Sequence, residues 1–123
     1  MRLAEKGILA IGVALQMLDD VVDLEEDLRA EKTNLLASWI IHHTQEITWP
    51  QLRELETGGC FPAHRFESLR MEVINQAIEK ALEGFGYLTQ SGYPVKRNQA
   101  ISILKIMFRL RGLENEWNKS AYS

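Results

Sequence analysis

Six carboxylates fall within nine residues of this chain, Asp19, Asp20, Asp23, Glu25, Glu26 and Asp27, and no Lys or Arg lies between Gly7 and Leu28. Carboxylate oxygens are hard ligands suited to Mg²⁺, which keeps some of its waters and shares its other positions with substrate phosphates. On a helix turning about 100° per residue, Gln16, Asp19, Asp20, Asp23, Glu26 and Asp27 share an arc of roughly 120° centred on Asp23. The opposite side carries Met17, Leu18, Val21, Val22, Leu24 and Leu28, broken only by Glu25. Like charges one turn apart destabilise a helix by about 0.2–0.5 kcal/mol per pair. The helix dipole adds to the cost toward the C-terminal end. A solvated face would interleave basic residues, whereas here the first are Arg29 and Lys32. A divalent cation is the simplest relief; a merely acidic, solvated face is the alternative.

The elements that must hold this stripe read as helices throughout. Residues 2–29 form one long helix, with Gly7 and Gly12 inside it as points of close helix packing or as room beside the helix for a ligand. Asn34 is an N-cap for a second helix over residues 35–46, with Leu35, Leu36, Trp39, Ile40 and His43 at core spacing. His42 and His43 point about 100° apart and make a poor pair of ligands for one metal. Thr48 and Pro50 start a short helix. Gly58-Gly59-Cys60-Phe61-Pro62 breaks the chain. Cys60 shows no catalytic setting.

An amphipathic helix follows from His64 to about Gly84, with Gly84-Phe85-Gly86 ending or kinking it and Ser91-Gly92-Tyr93-Pro94 as a turn. A last helix runs from Val95 to Gly112, extending to Trp117, with Ile101, Leu104, Met107, Phe108 and Leu110 facing the core. Lys105, Arg109 and Arg111 lie on it as solvated charges or as contacts for a diphosphate.

The fold class is therefore all-α, a single helical domain over residues 1–123. A net charge of −3 gives no reason to expect nucleic acid. No apolar run reaches the roughly 18 residues of a membrane span. One cysteine and no signal-peptide pattern fit a reducing cytoplasm.

Leu15-Gln16-Met17-Leu18-Asp19-Asp20-Val21-Val22-Asp23 resembles the second aspartate-rich motif of trans-isoprenyl diphosphate synthases, F-Q-x-x-D-D-x-x-D, with Leu15 in place of Phe. Asp27-Leu28-Arg29-Ala30-Glu31-Lys32 is similar to the D-L-x-x-G-K that follows there, with Glu31 in place of Gly. The same stretch aligns to the squalene/phytoene synthase motif Q-x-x-N-x-x-R-D-x-x-E-D through Gln16, Asp23, Glu26 and Asp27, with Asp19 for Asn and Val22 for Arg. Both families share the all-helical class I isoprenoid synthase bundle. The resemblance covers residues 7–36.

It implies Mg²⁺ ions on Asp19, Asp23 and Asp27, supported by Asp20 and Glu26. Gln16 would contact the reacting carbon chain or position a water, and Arg29 and Lys32 would contact the diphosphate. Metal-assisted loss of diphosphate from a prenyl diphosphate substrate, in an apolar cavity that excludes water, is the implied chemistry.

Half of that active site has no counterpart here, since acidic residues after Glu31 stand singly. The expectation is thus the C-terminal part of a prenyltransferase of isoprenoid biosynthesis, inactive as an isolated monomer. The alternatives are a non-catalytic relative that binds an isoprenoid, and a helical interaction module. Apolar faces left open by so short a chain would favour a homo-oligomer.

Overall fold

A computed structural model describes residues 2–30, 34–44 and 63–123. Six helical segments occur among them: α1 (Leu3–Val22), α2 (Leu24–Arg29), α3 (Leu35–Thr44), α4 (Ala63–Gln90), α5 (Arg97–Leu110) and α6 (Glu114–Lys119). The described residues contain no strand, and no helix among them is long and apolar enough to cross a membrane.

α1 and α4 form the centre. Gly7, Ala10, Ala14, Leu18 and Val21 recur every three or four residues along the buried side of α1. On α4 the buried positions are Leu69, Val73, Ile74, Ala77, Ile78, Ala81 and Phe85. The start of α1 meets the last third of α4: Lys6 Nζ lies 5.9 Å above the Tyr87 ring, and Gly7 sits against Gly84 and Leu88. Because the two helices pack along their lengths, they run antiparallel. Small residues permit a very close crossing. A Cβ added to Gly7 would stand 2.6 Å from the Gly84 carbonyl oxygen, and one added to Gly84 would stand 2.6 Å from the Gly7 oxygen. Gly12, by contrast, has open space where a Cβ would be.

The expected single helix over residues 2–29 is interrupted at Asp23, whose backbone (φ −91°, ψ 4°) leaves helical geometry. The interruption is slight. Asp23 N–H still donates to Asp19 O at 2.9 Å, and Asp27 N–H donates to Asp23 O at 2.8 Å. Gly84 and Gly86 do not end α4, which continues to Gln90. The true stop is Gly92, at φ +106°. Gly92 N–H bonds Thr89 O and Tyr93 N–H bonds Leu88 O, a Schellman closure that a side chain at this φ would strain.

Gly112 (φ +74°) repeats the device and divides the expected last helix into α5 and α6. Leu113 then folds in beside Phe108, and Phe108 and Trp117 meet edge-to-face at 5.1 Å. α6 and the tail are tied along α4 by Arg70–Glu116 at 3.0 Å, by Asn75 accepting from Ala121 N–H, and by Tyr122 donating to Glu79. Leu110 departs from expectation: it is 78% exposed, because Ala100, Leu104 and Phe108 define a core line that leaves it outside. The Thr48–Pro50 helix, the Gly58–Pro62 break and Cys60 lie outside the described residues.

Two consequences are testable. Gly84→Ala must push two backbones apart and should cost about 1–3 kcal/mol in urea unfolding. Gly86→Ala, two residues away with nothing within 4 Å, should instead gain roughly 0.5–1 kcal/mol. Equal effects would remove the close crossing from the account.

The second concerns acid. Burial alone would raise the Glu116 carboxyl, but the Arg70 guanidinium and a backbone hydrogen bond outweigh it and hold the group below its usual range. A group depressed on folding stabilises the fold above its unfolded pKa, and that stability is lost as pH falls through the folded value. Below about pH 4.5 the melting temperature should therefore fall more steeply for wild type than for Glu116→Gln. Parallel curves would argue against it.

Candidate functional site

The acidic stripe lies on the second half of α1 and on α2, and the structure divides its members. Asp23 and Glu26 are exposed. Asp20 is buried to 6% exposure rather than solvated, and its Oδ1 accepts from Gln16 Nε2 at 2.9 Å. Asp19 is bound by Arg111, whose Nε donates to Oδ1 at 2.9 Å from 92 positions away in sequence. Asp27 accepts on Oδ2 from Asn34 Nδ2 at 2.9 Å. Arg29 lies at the end of α2, while the Arg29 side chain and Lys32 fall outside the described residues, as does the side chain of His43. His42 is exposed.

Asn34 is the node of this region. It is fully buried, and its Oδ1 accepts from Ala37 N–H at 3.2 Å, which makes it the expected N-cap of α3. The same amide's Nδ2 donates to the Asp20 carbonyl at 2.8 Å as well as to Asp27. One side chain thus starts α3 and fastens it to the α1–α2 junction. The cap was legible in the sequence; the link to Asp20 and Asp27 was not, since nothing local signals it. Arg111 is similar: the shortage of nearby basic residues signals a missing cation, but not which distant residue supplies one.

Protein groups therefore provide part of the charge relief that the sequence assigned to a metal. Among the described residues no group of three or more His, Cys, Asp or Glu side chains converges to hold an ion. The donors are all hard oxygens and fit Mg²⁺, which needs only one or two carboxylates when water and phosphate complete its shell. A groove of about 520 Å³ lies at the other end of the bundle, between Phe85, Thr89 and Gln90 of α4 and Lys96 and Ala100 near the start of α5. None of the expected site residues lines it.

The outward face of α1 changes character along its length. Ile8, Leu9 and Val13 are 64%, 55% and 47% exposed around the open position at Gly12. Gln16, Asp19 and Asp23 continue the same side. An apolar strip on α1 thus runs into an acidic end at the α1–α2 junction. Comparison with protein-family models, with curated proteins and with solved structures gives no match for this chain.

Replacing Asn34 tests the node. Asn34→Ala should cost about 2–4 kcal/mol in chemical unfolding, through the lost cap and the lost bonds to Asp27 and the Asp20 carbonyl. At an ordinary N-cap Asp substitutes freely for Asn. Here Asn34→Asp sets a carboxylate against Asp27 and should be as damaging as Ala. A neutral Asn34→Asp would show that only the cap matters.

Proposed function

We propose that this chain is an isoprenoid synthase-like helical unit that supplies half of a Mg²⁺-dependent prenyl diphosphate site, the facing carboxylates coming from outside residues 1–123. The observation that carries this reading is the apolar-to-acidic face of α1. A prenyl diphosphate is an apolar tail ending in a multiply anionic head, and that head needs a cation between it and carboxylates. From Ile8 to Asp23 the face spans about 22 Å at 1.5 Å per residue. Ile8, Leu9 and Val13 would bear the tail, with Gly12 leaving room beside them.

Asp23 and Glu26, both exposed, would be the first ligands of an ion. Asp19 and Asp27 would join them only where Arg111 and Asn34 release or share their oxygens. Bound Mg²⁺ would supply charge neutralisation of the diphosphate leaving group. Gln16, held against Asp20, would orient the first carbons of the chain. Arg29 and Lys32 follow the acidic end in sequence, where they would meet the outer phosphate. The chain alone would bind rather than turn over its ligand.

A second reading has its own support. Arg111 on Asp19 and Asn34 on Asp27 are the partners of a purely structural acidic face, which would make the chain a helical interaction module or a non-catalytic relative. Calorimetric titration of farnesyl diphosphate, with and without Mg²⁺, separates the two. The expected result is binding that requires Mg²⁺ and weakens about tenfold or more, at least 1.4 kcal/mol, in Asp23→Asn. Binding that ignores both metal and mutation indicates a non-catalytic isoprenoid binder. No binding in any condition favours the interaction module.

A further inference from the structure

The groove between α4 and α5 has a composition that the acidic stripe does not explain. Its volume of about 520 Å³ falls within the roughly 300–1,000 Å³ of small-molecule sites. Phe85, a core residue, lines it with Leu82 and Val95, which are partly buried against the same core. Lys96 and Arg97 stand at the end nearest the turn. There Thr89 Oγ1 donates to Val95 O at 2.7 Å and holds the start of α5 beside the end of α4. No acidic side chain lines the groove.

Gly86 also lines it, from inside α4. Glycine weakens a helix interior relative to alanine, and a fold calls for it where φ is positive or where another group must approach the backbone. Gly86 does not have a positive φ, and no atom lies within 4 Å of the place a Cβ would take. No described residue therefore calls for a glycine here. A molecule lying in the groove does, because a side chain at position 86 would occupy its space.

The charge at the mouth narrows the class of ligand. Among the described residues neither Lys96 nor Arg97 makes an ion pair. Burial and Glu79 push the Tyr122 phenol up, and Arg97 opposes them from close by; Tyr122 in turn donates to Glu79. Part of the Arg97 charge is thus already answered, which leaves close to one surplus cation over an apolar trough. A single negative charge on an apolar chain is its complement. From Leu82 to Thr89 the trough runs about 10 Å at 1.5 Å per residue, the reach of a medium-length acyl chain. We infer that this groove binds a medium-chain monocarboxylate, its carboxylate on Lys96 and Arg97 and its chain laid over Gly86 against Leu82, Phe85 and Val95.

This binding does not depend on the diphosphate reading, so it is tested without metal. Calorimetric titration of octanoate should show one-site binding to wild type, tightened about two- to fourfold by each methylene added from hexanoate. Gly86→Leu puts a good helix former at an open position. Its melting temperature should equal or exceed that of wild type while octanoate binding is lost. Lys96→Gln should weaken octanoate about fivefold, and octanol, which lacks the charge, should bind wild type weaker than octanoate by about the same factor. Octyl phosphate, which brings a second charge, should bind no tighter than octanoate. A wild type that ignores octanoate, binding that survives in folded Gly86→Leu or unweakened in Lys96→Gln, octanol equal to octanoate, or octyl phosphate tighter than it would each overturn the assignment.

Discussion

Everything in this bundle is arranged around the place where α1 and α4 touch backbone to backbone. At Gly7 and Gly84 the room for even one methyl group is absent on either side. Ala10, Ala14, Ala77 and Ala81, all buried, extend the small-residue character of both helices. So close an approach buries one stripe of α1 against α4, while α3, α5 and α6 complete the core around α4. The stripe on the other side of α1 is left outward. The exposed apolar residues and the acidic residues of α1 are therefore consequences of one crossing.

The acids that follow are held by unequal means. The Asp19–Arg111 pair is partly exposed, with side chains 47% and 26% accessible, and such a pair contributes about 1 kcal/mol at most. Asn34 is different. It is fully buried and has three hydrogen bonds, one of them charge-assisted, and a buried donor left unmade costs about 1–3 kcal/mol by itself. The α1–α2–α3 corner is thus fixed chiefly by an uncharged amide. The ion pair adds orientation, drawing the end of α5 toward the last turn of α1.

The helical class was written plainly in the sequence, because 3.6-residue periodicity is local and strong in residues 3–22 and 63–90. The N-cap at Asn34 was equally local. The boundaries that slipped are those where a glycine has two possible uses. Gly84 and Gly86 looked like a helix end, yet one is a contact and the other merely exposed; among the described residues only Gly92 and Gly112 are glycines with positive φ. Composition does not distinguish these roles, since the deciding atoms belong to another helix. The candidate site was legible to the same extent. Its acidic residues announced themselves by density, but the partners that receive them come from 7 and 92 positions away. The burial of Asp20 was hidden for a related reason: on a helical wheel it joins the acidic arc, and a tertiary neighbour, Asn34, bonds its backbone carbonyl.

The outward face of α1 meets the proposed ligand at both of its ends. As a ligand site, that face needs Asp23 to hold a cation. A divalent ion on Asp23 would offset the charge of the acidic end, and a prenyl tail would cover Leu9 and Val13. An open apolar strip of this kind has a cost in water when nothing covers it. A ligand that joins metal coordination to apolar burial would answer the acidic end and the apolar strip together.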